Sequence, residues 1–398
     1  MNEPLLDRRE RAAPSGAPDF ALWSLGFRPF YLLAGVFSAV SVLLWAAQYS
    51  GWLPSAYLQG PLWHGHEMLF GYTLAVIAGF LLTAVRNWTG QPTPTGVPLM
   101  ALAALWVLGR VLVLTPLGAA AAVVNAAFPL ALAVAIGIPL VRSRNTRNYF
   151  FIGLLVLMGG LILALHLAWQ GAFEIPPRAG LLLGLDVVLF IMSVMGGRVI
   201  PMFTNNGVPG TQATRRAPVE SLVLGSVLLL CVADLLRLPP VVAAVIALAG
   251  AVAHGARLFL WQSWRTLSTP LVWILHAAYA WIVAHLVLRG LSGLGLLAES
   301  FAVHALTVGA IGGLTLGMMT RTARGHSGRP LVADGFELAM FLLVQAAALA
   351  RVFGGMVSPG LYMASVQLSG LLWAAAFGLY AIRYWPVLTR SRLDGRPG

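Results

Sequence analysis

Apolar runs of about twenty residues, separated by short polar breaks, recur along almost the whole of this 398-residue chain. A helix of that length spans the hydrocarbon core of a bilayer. Only 10% of the residues are charged, against about 25% in a soluble domain. The pattern predicts an all-α polytopic membrane protein and excludes a soluble enzyme. The twelve predicted spans lie at about residues 29–48, 64–85, 97–114, 118–140, 149–170, 179–199, 218–236, 240–261, 269–290, 299–319, 333–353 and 360–382.

The domain organisation follows from the short breaks between these runs, none of which is long enough for a soluble domain. We expect a cytoplasmic N-terminal segment over residues 1–28, without the apolar stretch of a cleaved signal peptide. One twelve-helix membrane domain over 29–383 and a cytoplasmic tail over 384–398 complete the predicted organisation.

The orientation is predicted by arginine, which supplies all 25 basic residues. Inner loops of membrane proteins are enriched in positive charge. With both termini in the cytoplasm, only Arg178, Arg237, Arg289 and Arg351 fall in outer segments, and Arg110 falls inside the third predicted helix. This bias accounts for the net charge of +12, so no nucleic-acid partner is expected.

A weak internal pattern links the second, sixth and tenth predicted helices, which all run from outside to inside. Each ends in an arginine followed by a polar turn that contains glycine and proline; the arginines are Arg86, Arg198 and Arg321. The constant spacing of four helices is the pattern that three four-helix quasi-repeats would give; the alternative is chance, since helix ends at this surface favour arginine and glycine in any case.

The histidines are the main candidates for chemistry, because ionisable residues inside a membrane usually serve a function. Imidazole is a common ligand of haem iron and of copper. The second and tenth predicted helices carry histidines at matching depth, so His304 with His66 or His64 is predicted to bind a non-covalent haem b. Covalent haem is not expected, because the chain has one cysteine and no CxxCH motif.

Further histidines are candidate metal ligands, copper being the metal considered. On a regular helix His64 and His66 point about 200° apart, so one is expected to be a ligand and the other to orient it. His276 and His285 are out of phase by about half a turn and are not expected to share an ion. The candidate metal ligands are His64, His166, His276 and His285.

Two carboxylates are candidate catalytic groups for proton transfer. Glu67 is expected to share a helix face with His64, three residues earlier. Asp186 lies within the sixth predicted helix. The simpler alternatives are a solvated interfacial carboxylate for Glu67 and an ion pair with a neighbour for Asp186.

Several segments together resemble the NnrS family of bacterial membrane proteins. They are Gly26-Phe-Arg-Pro-Phe-Tyr31, Trp63-His-Gly-His-Glu-Met68, Gly79-Phe-Leu-Leu-Thr83, Gly196-Gly-Arg-Val-Ile-Pro-Met-Phe203 and His304-Ala-Leu-Thr-Val-Gly309. The resemblance implies a haem- and copper-containing inner-membrane protein of nitric oxide metabolism, found in denitrifiers and in bacteria under nitrosative stress. It assigns no individual ligands, so the choices above rest on depth and spacing.

The helix count and the histidines of helices 2 and 10 are also similar to the catalytic subunit of haem–copper oxygen and nitric oxide reductases. In that subunit a low-spin haem hangs between helices 2 and 10. The seventh predicted helix lacks an adjacent His-His pair, and the sixth offers Asp186 instead of histidine. A binuclear centre of the usual type is therefore not expected.

Three functions remain open. The first is a haem and copper protein that binds nitric oxide or reduces it as an oxidoreductase, with an unidentified electron donor. The second is a secondary transporter, which predicts polar residues converging at the membrane midplane. The third is a sensor or buffer with the same cofactors and no turnover. The outward position of most histidines favours the first and third, and bound metal would separate them from the second.

Overall fold

A computed structural model describes residues 20–53 and 57–395. In these residues the chain forms no β-strand, and twelve helices are long and apolar enough to cross a membrane. The all-α polytopic prediction is confirmed. The helices are α1 (Phe27–Tyr49), α2 (Gly60–Thr89), α3 (Gly96–Val113), α4 (Gly118–Arg142), α5 (Thr146–Trp169), α6 (Arg178–Gly207), α7 (Ala217–Leu235), α8 (Pro240–Leu260), α9 (Pro270–Gly293), α10 (Glu299–His326), α11 (Gly335–Val357) and α12 (Tyr362–Thr389).

Three helices end seven or eight residues later than hydropathy predicts. α6 continues past residue 199 to Gly207, α10 past 319 to His326, and α12 past 382 to Thr389. Their added turns carry arginine, threonine and asparagine, which suit a helix outside the hydrocarbon but lower its hydropathy. Hydropathy measures the thickness of the apolar layer, so it cannot find helical turns beyond that layer.

The helices singled out by the quasi-repeat lie inside the bundle. α2 is the most enclosed, with 83% of its apolar window buried, and α6, α9 and α10 follow it. α2 contacts α6, α6 contacts α9, α9 contacts α10, and α10 contacts α1. The Tyr72 hydroxyl on α2 hydrogen-bonds to the Thr315 hydroxyl on α10. These inner helices can therefore present polar side chains to one another, away from lipid.

Two of the inner helices contain a π-helical segment. In α2 it spans Glu67–Thr73 and begins directly after His66. In α10 it spans Ala305–Gly312 and begins directly after His304. Such segments are rare and are frequent at functional sites. Each one shifts the side chains that follow relative to the regular helix assumed from the sequence.

Candidate functional site

A cavity of about 610 Å³ lies among α1, α2, α6, α10, α11 and α12. Its walls are mainly aliphatic and aromatic side chains, with a few polar groups. Cofactor pockets have volumes of about 300–1,000 Å³ and the same mixture of apolar walls and a few polar groups. The cavity is therefore large enough for a sizeable cofactor.

Two histidines from different helices line this cavity: His64 on α2 and His304 on α10. The His304 Nδ1 lies 2.6 Å from the Ser300 carbonyl oxygen, so Nδ1–H donates and Nε2 is left for a ligand. The His64 ring is stacked on Trp45 with ring centroids 5.0 Å apart, and its buried Nδ1 has no hydrogen-bond partner. His304 is thus anchored by a hydrogen bond, whereas His64 is held by stacking.

An arginine missed as a site residue also lines the cavity. Arg351 is only 8% exposed, and its Nη2 donates to the Tyr362 hydroxyl at 3.2 Å. Its buried Nη1 has no hydrogen-bond partner. A buried cationic nitrogen without a partner is costly, so the position suits an anionic group of a bound molecule. The signal in the sequence was a charge at the end of an apolar run, which was interpreted as an outer loop.

A second polar cluster lies between α2, α3 and α4, outside the cavity lining. Glu67 is 1% exposed, and its Oε1 lies 2.7 Å from the His66 Nδ1 and 2.6 Å from the Arg110 Nη1. Arg110 also donates to the Asn125 side-chain oxygen. The cluster is a buried ion pair whose carboxylate orients the ring of His66.

His166 on α5 completes this cluster. The Nε2 atoms of His66 and His166 lie 3.1 Å apart, and the His166 Nδ1 lies 3.0 Å from the Tyr57 hydroxyl. Burial raises the pKa of the Tyr57 phenol. Two imidazole nitrogens bound about 2.0–2.1 Å from one ion are separated by about 3 Å. The pair therefore has the spacing of two ligands of one metal, with both outer nitrogens fixed by Glu67 and Tyr57.

The structure corrects one prediction about α2 and agrees with another. Glu67 does not pair with His64, because its carboxylate bonds to His66 and to the buried Arg110 of α3 instead. His64 and His66 do face different partners, as predicted: His64 lines the cavity and His66 contacts His166. Of the three histidines predicted to bind haem, only His64 and His304 line the cavity.

Asp186 forms an ion pair, the simpler of its two interpretations. Its Oδ1 lies 2.7 Å from Arg289 Nη1, and Arg289 Nη2 lies 2.6 Å from Asp234 Oδ2. Arg289 was predicted to lie in an outer segment at the end of the ninth span; it lies within α9, and only 17% of its side chain is exposed. Arg289, near the end of α9, thus bridges one carboxylate of α6 and one of α7. The buried Asp186 Oδ2 has no partner.

The two histidines of α9 have separate environments, as their spacing predicted. The His276 Nε2 lies 2.8 Å from the Thr204 hydroxyl. The His285 Nδ1 lies 2.8 Å from the Ala302 carbonyl oxygen. Across residues 20–53 and 57–395, no group of three or more His, Cys, Asp or Glu side chains is arranged to hold a metal ion. The sequence predictions therefore resolve into a cavity pair, a buried pair and isolated histidines.

Comparison with known proteins agrees with the resemblance seen in the motifs. The family described as NnrS protein matches residues 21–392, which is nearly the whole chain. No curated protein matches the sequence. The family match covers all twelve spans and both histidine pairs. The chain therefore belongs to the NnrS family, and this membership links it to the response to nitric oxide.

Proposed function

We propose that this protein binds haem b in the cavity and handles nitric oxide there, in the inner membrane of a bacterium. His304 and His64 would hold the iron from α10 and α2. The observation that carries the proposal is that imidazoles from two facing helices line one apolar cavity of about 610 Å³.

The residues present fit the group. Haem is largely apolar and carries two propionate carboxylates, which match the apolar walls and the partnerless Nη1 of Arg351. Anion–guanidinium contacts are strong in surroundings of low dielectric constant. The hydrogen bond from His304 to the Ser300 carbonyl fixes the tautomer that leaves Nε2 free to bind iron.

The two histidines differ in how firmly they are held. His304 is fixed by its hydrogen bond, whereas the Trp45 stack leaves the His64 Nδ1 without a partner. His64 is therefore the ligand with freedom to move aside. When bound, haem would supply an iron atom that can bind nitric oxide, and His64 would be the less firmly held of the two residues that hold it.

Copper would bind at the His66–His166 pair. The Nε2 atoms are 3.1 Å apart, and Glu67 and the Tyr57 hydroxyl hold the opposite ring nitrogens. An imidazole whose Nδ1–H donates is a more basic ligand at Nε2, so in this proposal the His66 Nδ1–H donates to Glu67 and the His166 Nδ1–H donates to the Tyr57 hydroxyl oxygen. Copper supplies a second redox centre, and Glu67 would accept or return the proton at the His66 Nδ1.

Purified variants test both assignments. We expect His304→Ala to lose haem and keep copper, and His166→Ala to lose copper and keep haem. Haem is measured by the reduced-minus-oxidised optical spectrum, and copper by elemental analysis. His276→Ala is the matched control, because this buried histidine lies outside both pairs and should keep both cofactors. Full haem content in His304→Ala would refute the axial assignment, and full copper content in His166→Ala would refute the copper site.

Turnover separates the remaining functions. Nitrous oxide formed from nitric oxide with a supplied reductant would identify a reductase. A spectral shift with nitric oxide and no nitrous oxide would identify a sensor or buffer. A preparation made with sufficient haem supply that contains no haem would favour a transporter.

A further inference from the structure

A second pocket, of about 350 Å³, lies where the end of α2 meets the loop before α5 and the end of α6. This pocket is separate from the cavity lined by His64 and His304, because the two lie at opposite ends of α2. Trp88 lies at the end of this helix, whereas His64 lies near its beginning. The pocket also lies at the ends of the helices that the arginine bias assigns to the cytoplasmic side. Its lining residues are Trp88, Asn145, Arg147, Asn148, Arg198 and Arg215.

Positive charge in this pocket exceeds negative charge. Arg147 has no hydrogen bond or ion pair with any described residue, and Arg198 donates to the neutral Asn148 side chain at 2.8 Å. Arg215 lies 3.0 Å from Glu220 Oε2. That carboxylate is already bound by the buried Arg257, whose Nη2 and Nε lie 2.5 and 2.9 Å from it. Of the three guanidinium groups, only that of Arg215 has a carboxylate partner, and Arg215 shares this carboxylate with Arg257.

The pocket is held in shape without a ligand. The Asn145 Nδ2 donates to the Trp88 carbonyl oxygen at 3.1 Å, and the Asn148 Nδ2 donates to Asn145 Oδ1 at 3.0 Å. The Asn148 oxygen then accepts from Arg198 Nη1, and the Arg198 guanidinium stands over the Phe150 ring at 5.7 Å. These hydrogen bonds form a chain from the Trp88 carbonyl through Asn145 and Asn148 to Arg198, whose other N–H groups have no partner among the described residues.

We propose that this pocket binds a phosphate-bearing anion through Arg147, Arg198 and Arg215. A phosphate group offers several oxygens and up to two negative charges, so it can satisfy three guanidinium groups better than one carboxylate can. Such an anion could be the headgroup of an acidic phospholipid in the adjacent leaflet or a soluble phosphate. Basic pockets between helices at the cytoplasmic face are known to bind acidic headgroups.

Binding is measured by native mass spectrometry and by the shift in melting temperature of the detergent-purified full chain. One arm adds inorganic phosphate, and the other adds phosphatidylglycerol or, as a neutral comparison, phosphatidylcholine. We expect Arg147→Gln and Arg198→Gln each to weaken binding about fivefold, from a contribution of about 1 kcal/mol per arginine near a charged membrane surface. Arg142→Gln is the matched control, because Arg142 is exposed on the same side and does not line the pocket.

Each outcome decides the proposal. Binding of phosphatidylglycerol alone supports a lipid headgroup, and binding of inorganic phosphate supports a soluble ligand. No binding of either by the wild-type chain overturns the proposal. An equal loss in Arg142→Gln also overturns it, because charge on that face would then act without the pocket. Arg147 is exposed, so its variant gives a result even if Arg198→Gln fails to fold.

Discussion

Glu67 joins a buried histidine to a buried arginine inside the membrane. Its Oε1 contacts both His66 and Arg110, and all three side chains are at most 9% exposed. Removing one partner of a buried ion pair leaves an uncompensated charge in a medium that solvates it poorly. Glu67 therefore links α2 to α3 through Arg110 and also orients the ring of His66.

Replacing the Glu67 carboxylate should make the protein less stable. We expect Glu67→Gln to lower the free energy of unfolding by about 3–5 kcal/mol, because it strands the Arg110 charge. The matched control is Glu299→Gln, whose partner Arg178 is 60% exposed in its side chain and whose loss should cost at most about 1 kcal/mol. Denaturant titration in detergent gives the comparison. Equal stability of the two variants would show that the Glu67 pair is not structural.

The chemistry of single residues was visible in the sequence, but their partners were not. Glu67, Asp186 and the histidines stand out because charged and ionisable groups are rare in apolar runs. His66 and His166 are a hundred residues apart, so no spacing rule brings them together. Tyr57 and Arg351 were missed for the same reason, since their importance comes only from what they face.

The π-helical segments limit what periodicity can predict for an element. A regular turn puts Glu67 on the same face as His64, yet the Glu67 carboxylate bonds to His66 and Arg110. The π-helical segment at Glu67–Thr73 then shifts the side chains that follow. The matching segment in α10 follows His304 directly. The two helices that carry the cavity histidines therefore both depart from regular geometry directly after a histidine, and the residues that follow are placed differently from those of a regular helix.

Gly309 sets the distance between α10 and α9. It lies within the π-helical segment, and a Cβ atom there would overlap the indole ring of Trp281. Overpacking of this kind costs about 1–3 kcal/mol. We expect Gly309→Ala to lower stability by that amount and to reduce haem content, because the displaced helix carries His304.

The control for this substitution is Gly153→Ala on α5, where a Cβ atom would meet nothing within 4 Å. Thermal unfolding and haem absorbance are measured on both variants. If Gly309→Ala kept the stability and the haem of Gly153→Ala, then α9 would not fix the position of α10.

At the scale of the whole molecule, the number and order of the spans were predictable because the bilayer imposes one length on every crossing. The predicted grouping of the second, sixth and tenth helices corresponds to three of the four most enclosed helices. The sequence could not show that α9 joins them, since its apolar run does not differ from those of the lipid-facing helices. The buried fraction of a helix depends on which other helices pack against it, and the hydropathy of one helix does not determine this.

The twelve spans of the described residues predict that both ends of the chain lie on the same side of the membrane, and the arginine bias predicts that this side is the cytoplasm. Alkaline phosphatase needs disulfides that form outside the cytoplasm. We expect its fusion after residue 398 to be inactive and its insertion near Gly171, between α5 and α6, to be active. A fusion after Arg142, between α4 and α5, is the inner-side control and should be inactive. Activity at the C-terminus would invert the bundle, so that the His64–His304 cavity would open toward the cytoplasm and the arginine pocket would meet the outer leaflet.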